Sequence, residues 1–307
     1  MLYSGAMDGT KGGSAVETML EVFHGRTPIR AWSLIVTLYG DAIVPRGGSL
    51  WLGSLIEIME AFRIDAGVVR TAMSRLASDG WLERTRIGRN SYYRLSPRGR
   101  TGFLEAARRI YAVPKARWGG RWYVATILGE PGERGATREL LVERGFVALA
   151  PNVLIAPLCE ADDGSHAAAL AGEPVMLMEA SGGTPDEARR LAAETFRLEE
   201  LAAGYHRLAS LFAALEAALV ASPVSGRDAL VLRILVIHEY RRVMLHDPLL
   251  PVELLPPDWP GHRVRQLCAG VYREVAGPAD AFLDAHARNE TGPLPPPDAS
   301  VRARFGG

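Results

Sequence analysis

The sequence predicts an α+β chain in three successive parts, and three observations lead there. Helical periodicity runs through residues 29–80 and gives way to an Arg-rich hairpin pattern. A β-α-β-β-α-β order follows from residue 118, and helices dominate from Thr184 onward. At 307 residues the chain suits two or three domains of about 100–200 residues each. With 48% hydrophobic and 23% charged residues it has the composition of a soluble globular protein with ample core material. No apolar run reaches the roughly 18–20 residues a membrane span needs, so no membrane partner is expected. The start, MLYSGAMDGTKGGSAVET, lacks the basic-then-apolar layout of a signal peptide. Residues 1–26 therefore read as a flexible arm. Cys159 and Cys268 stand alone, without CxxC spacing or a nearby His pair, which points to reduced thiols in a cytoplasmic protein and to neither a zinc site nor a disulfide.

Charge is unevenly spread. From Arg26 to Arg117 there are 16 Lys and Arg against 7 Asp and Glu, and elsewhere 19 against 28, so a zero total hides a +9 region and a −9 remainder. One module that meets a polyanion, joined to others that do not, accounts for this.

Each element of the basic module (27–113) has a local reason. Thr27-Pro28 starts a helix over Ile29–Tyr39, and Trp51–Phe62 carries apolar residues at helical spacing. Between them, GDAIVPRGGS reads as a Gly/Pro-rich connection. A third helix begins at the capping Asp65 and stops at Gly80. Its predicted apolar stripe is Val68, Val69, Ala72, Met73 and Leu76. The opposite face shows Gly67, Arg70, Thr71, Ser74, Arg75 and Ser78, with no acid until Asp79. Such a face can lie in a DNA major groove. Next, Trp81–Ile87 and Ser91–Leu95 flank Gly88-Arg89-Asn90, a hairpin turn signal with Asn90 expected at its tip. Arg84, Arg86, Arg89 and Arg94 lie along this hairpin and suit phosphate contacts. Three helices and a basic hairpin make a winged helix-turn-helix. The candidate DNA contacts are Arg70, Thr71, Ser74, Arg75, Arg84, Arg86, Arg89, Asn90 and Arg94.

These strings, SLIVTLYGD, PRGGSLWLGSLI, VVRTAMSRLASDGWLERTRIGRNSYYRLSPRGR, RIYAVPKARWGGRW and LRILVIHEYRRVMLHDPLLPVELLPPDWPG, resemble the PaaX-type repressors of phenylacetic acid catabolism. The likeness runs from about Pro28 to Phe282 and is weakest in the middle. It implies a transcriptional repressor with a winged helix, a central ferredoxin-like module similar to the Cas2 fold, and a helical C-terminal domain. It further implies a homodimer on a double-stranded DNA operator, released by an aryl-acyl-CoA such as phenylacetyl-CoA.

The remaining chain also reads on its own terms. Residues 118–182 supply strand Arg121–Leu128, helix Arg134–Arg144, two strands in Phe146–Ala156, a helix near His166–Ala171 and strand Val175–Glu179, the ferredoxin-like order. Asp162-Asp163 are its adjacent carboxylates, too few for a nuclease metal site. Residues 183–290 read as a helical effector-binding and dimerisation domain: Pro185–Ala203 behind a Thr-Pro-Asp-Glu start, His206–Val220, Gly226–His246 and Pro260–Arg288. Residues 291–307 read as a disordered tail. The densest polar cluster, His238, Glu239, Arg241, Arg242, His246, Asp247, Asp258 and Trp259, lacks the HExxH zinc spacing. His238, Arg241, Arg242, His246 and Trp259 are the candidate effector site, with the arginines as anion holders. The same residues could instead fasten the helix to the proline-rich loop DPLLPVELLPPDWPG that separates the last two helices. No metal, catalytic residue or cofactor is expected. The alternatives are a regulator of another pathway with a different effector, and an enzyme reusing the fold with this His/Glu/Asp cluster, which would have no need of the Arg-rich face.

Overall fold

The computed structural model describes residues 10–111, 117–160, 168 and 170–306. They fall into two compact units, Met1–Ala112 with His206–Leu245 and Gly261–Gly307, and Val113–Tyr205 with His246–Pro260. In chain order the first holds α1 (Thr10–His24), α2 (Ala31–Leu38), β1 (Ser49–Trp51), α3 (Leu52–Glu60), α4 (Ala66–Ser78), β2 (Leu82–Ile87), β3 (Asn90–Leu95) and α5 (Pro97–Tyr111). The second holds β4 (Trp118–Ile127), α6 (Arg134–Glu143), β5 (Val147–Ala150), β6 (Val153–Cys159), β7 (Val175–Ser181) and α7 (Pro185–Thr195). The chain returns through α8 (Leu198–Ala221), divided after Tyr205, to α9 (Gly226–Met244), α10 (Gly261–His286), β8 (Arg288–Asn289) and β9 (Gly292–Pro293).

The stretch expected as a flexible arm carries α1. Val16, Met19, Leu20 and Phe23 recur at helical spacing and are buried, with α1 packed on α9. Arg26 beyond it forms a two-pronged ion pair with Glu239 of α9. The Gly/Pro-rich connection after α2 is likewise ordered. A π-helical turn at Tyr39–Ile43 buries Asp41 and Ile43, and β1 pairs with β3 (Leu50↔Tyr93) to give a sheet ordered β1-β3-β2.

Helix α4 runs between Asp65 and Gly80 as its caps predict, but Val68 is 47% exposed. Val69 takes the inward position, and one residue earlier on a 3.6-residue helix points about 100° away. At the hairpin, Ile87 pairs with Asn90, leaving Gly88 (φ 59°) and Arg89 as a two-residue turn. Arg89, rather than Asn90, is therefore the tip.

Helices α9 and α10 belong to the same compact unit as the N-terminal helices, not to a separate C-terminal domain. Residues Ala229 to Tyr240 of α9 are all buried, among them Arg233 at 1% exposure. Arg233 reaches Asp41 (2.6 Å) and Asp280 (2.7 Å). Asp41 also accepts from Tyr111 (2.6 Å), Tyr272 (3.1 Å) and Arg304 (2.8 Å). Burial alone would raise the Asp41 carboxyl, but the Arg233 and Arg304 guanidiniums outweigh it and hold the group below its ordinary value. This cluster corrects the expectation of a disordered 291–307. Leu294 is buried and bonds back to Ala287, Arg304 enters the Asp41 cluster, and the Phe305 ring packs on Tyr111 and Tyr272.

In the second unit the strands order as β5-β6-β4-β7, each neighbour antiparallel, over a core of Tyr123, Ala125, Phe146, Leu154 and neighbouring apolar residues. Asp162-Asp163 and most of the helix expected near His166–Ala171 lie outside the described residues. Thr184 and Glu187 form the expected capping box on α7, with the Thr184 N–H donating to Glu187 (2.6 Å). The helix expected to run to Ala203 stops at Thr195. Arg197 adopts a positive φ of 53°, and α8 starts afresh behind it.

Candidate nucleic-acid interface

Helix α4 buries Val69, Ala72, Met73 and Leu76, and this leaves Gly67, Arg70, Thr71, Ser74, Arg75 and Ser78 outward. Two hydroxyls are tethered along the helix: Thr71 donates to the Gly67 carbonyl (2.9 Å) and Ser78 to that of Arg75 (2.9 Å). The guanidinium of Arg75 sits 3.6 Å from Asp79, an exposed pair worth only about 0.3–0.5 kcal/mol.

The hairpin register sorts the remaining candidates by face, because side chains alternate along a strand. Arg84 and Arg86 share the face of buried Leu82, Tyr93 and Leu95, whereas Asn90 and Arg94 lie on the other with Glu83. Arg84 donates to Ser91 (2.9 Å and 3.2 Å), and Arg86 to the turn carbonyl of Gly88 (3.2 Å). Arg94 is neutralised by Glu83 directly opposite (3.1 Å). By contrast, no carboxylate among the described residues pairs with Arg70, Arg84, Arg86 or Arg89.

Arg70, Ser74 and Arg84 come together. With Leu52, Ala77 and Tyr93 they line a groove of about 260 Å³ where α4 meets the root of the hairpin. Leu52 and Tyr93 were not among the sequence candidates, since only the strand register and the α3–α4 packing bring them there. The surface thus presents unpaired guanidiniums on one helix face and one hairpin face. That arrangement suits a polyanion whose phosphates accept bidentate arginine bonds.

Of the five effector candidates, His238, Arg241 and Arg242 lie on α9 in the first unit. His238 is buried against Phe23, and its Nδ1 lies 3.0 Å from the Thr37 hydroxyl. Burial, then the charges of Arg241, Arg242 and Arg26, push its pKa down to about 3, so the ring is neutral at physiological pH. Arg241 is partly buried and donates to Ser33 (2.6 Å and 3.0 Å), while Arg242 is exposed. His246 and Trp259 belong to the other unit, where Trp259 packs edge-on to Tyr205 and Tyr205 donates to Asp247 (2.6 Å). Cys268 is buried, and burial pushes its thiol well above the ordinary value; Cys159 is half-buried, and no disulfide joins the two. Among the described residues no three His, Cys, Asp or Glu side chains are grouped to hold a metal, and no helix is long and apolar enough to cross a membrane.

Comparison with known proteins gives the family of the chain. Residues 30–99 match the family described as PaaX-like protein, and residues 196–285 match the PaaX-like protein C-terminal domain. The transcriptional repressor PaaX of Escherichia coli (strain K12) is 36% identical over 303 residues, which cover 96% of each chain. Among solved structures, an uncharacterized protein from Mycobacterium tuberculosis is similar at 25% identity, with a TM-score of 0.49 and coverage of 87% of this chain and 98% of that one. The chain belongs to the PaaX family of transcriptional repressors, and not to a family of enzymes.

Proposed function

We propose that this repressor grips operator DNA with α4 in the major groove and the β2–β3 hairpin on the backbone, as a winged helix-turn-helix. The observation that carries this is the groove where Arg70, Ser74 and Arg84 converge without a compensating carboxylate among the described residues. Arg70, Thr71 and Ser74 reach base edges, and Arg84, Arg86 and Arg89 hold phosphates. Arg94, spent on Glu83, contributes least.

The β5-β6-β4-β7 order supports a ferredoxin-like, Cas2-like reading of the second unit. By likeness to its family the chain acts in the cytoplasm as a homodimer on a two-fold operator of an aromatic-acid operon. An aryl-acyl-CoA such as phenylacetyl-CoA releases it, by favouring a geometry that misaligns the two recognition helices.

The test is fluorescence anisotropy on labelled DNA from upstream of the gene itself, at several salt concentrations. Arg70→Ala should weaken the specific site by about 1–3 kcal/mol and relax its sequence preference. Arg89→Ala should weaken all sequences alike and lower the salt slope by about 1. Unchanged binding by both variants refutes the assigned face.

A further inference from the structure

A second cavity, partly open to the surface, lies within the first unit between α2, α4, α5 and α9, with a volume of about 470 Å³. That is within the roughly 300–1,000 Å³ of small-molecule sites. Its walls are mostly apolar and aromatic, with Trp32, Val36, Trp81, Phe103 and Ile237 among them. The aromatic wall is built in: the Phe103 ring lies so close to Gly40 that a Cβ there would stand 2.7 Å from it, and Trp81 meets Phe103 edge-on at 6.5 Å.

Two arginines break this apolar lining: Arg75, which pairs with Asp79, and Arg241, which has no such partner among the described residues. Arg241 spends its Nη2 on Ser33, but its Nε is buried without a hydrogen-bond partner. No carboxylate among the described residues forms an ion pair with it. Asp41 also lines the cavity, yet its oxygens are taken by Arg233, Arg304, Tyr111 and Tyr272. Burial, then the adjacent Arg242 charge, lower the Arg241 pKa to about 10, the sign of a cation short of compensation. A buried donor left unpaired is costly, and an oxygen-bearing ligand would relieve that cost.

The cavity also reaches the DNA-reading helix. Arg75 and Leu76 of α4 and Asp79 just after it form part of its wall, starting one residue beyond Ser74 of the groove, and Trp81 joins them. An occupant therefore touches the C-terminal half of α4.

We propose that this cavity is the effector site, taking the aromatic or bulky apolar end of a carboxylic-acid derivative with its carboxyl-derived oxygen on Arg241. The proposal rests on reading the chain as an effector-released repressor, and it places the effector beside the recognition helix. The oxygen can come from a free carboxylate or from a thioester carbonyl.

The experiment titrates phenylacetate and phenylacetyl-CoA separately, by calorimetry on the free protein and by anisotropy on its operator complex. Wild type is compared with Ala106→Phe, which fills the cavity, and with Arg241→Gln, which removes the charge while keeping a donor. Circular dichroism and ligand-free operator affinity verify that each variant is folded. The expected result is binding by the wild type and an affinity loss of about tenfold or more in both folded variants. A response to only one of the two compounds identifies the source of the oxygen. Variants that bind as tightly as wild type overturn the site, and a wild type that binds neither compound overturns the ligand class. Wild-type binding that fails to release DNA overturns the effector reading, and the two variants' calorimetry still decides the cavity.

Discussion

Arg304→Ala tests whether the residues after Glu290 are part of the folded core. In the structure the Arg304 side chain is 7% exposed, and its Nη1 donates to the Asp41 carboxylate (2.8 Å) and carbonyl (2.9 Å). The guanidinium also stands over the Tyr111 ring, 4.4 Å from its centroid. A hydrogen bond to a charged group contributes about 1.5–3 kcal/mol, and a desolvated cation–π contact about 2 kcal/mol. Ordering the side chain opposes these by about 2 kcal/mol. Asp41 keeps Arg233, Tyr111 and Tyr272 after the substitution, so the loss falls short of the ~3–5 kcal/mol of an orphaned buried ion. The expected cost is about 2–3 kcal/mol, or about 4–10 °C in Tm for a unit of this size. Urea and thermal unfolding of the full chain, followed by circular dichroism, measure it. The control is Arg302→Ala, an exposed neighbour expected within about 0.5 kcal/mol of wild type. If Arg304→Ala is as mild as Arg302→Ala, the tail is not anchored and the Asp41 cluster does not extend to it.

Four further outcomes follow from the geometry. Phe23→Ala should cost about 3–5 kcal/mol, because α1 is core and not arm, and urea unfolding reads this directly. His238 favours its neutral form when folded, so the unfolded chain binds the extra proton at acid pH; stability should be full above about pH 6.5 and fall by about 2 kcal/mol by pH 5, a loss that His238→Gln should reduce. Val68→Ser, on the outward side of α4, should stay within about 0.5 kcal/mol of wild type in the same assay. Arg86→Ala should lower the salt slope of DNA binding by about 1 and Arg94→Ala by less, since Glu83 already neutralises Arg94.

What the sequence alone determined is whatever its local periodicity and end signals encode. Asp65 to Gly80 delimited α4, Gly88-Arg89-Asn90 placed the hairpin turn though not its tip, Thr184 with Glu187 started α7, and the +9 stretch located the basic surface. Each signal acts within a few residues, so it survives without knowledge of the neighbours. The tertiary structure decided the rest, because distant pairings override weak local preference. A Gly-rich opening becomes helix once Met19 and Phe23 have α9 to pack on, and a Pro-rich ending is ordered once Arg304 meets Asp41, 263 residues away. The same holds for the polar cluster around His238. Helical spacing brings His238, Arg241, Arg242 and His246 to roughly one face, but Thr37, Ser33 and Phe23 come from the other end of the chain. Only those contacts separate a buried neutral histidine from an arginine that faces a cavity.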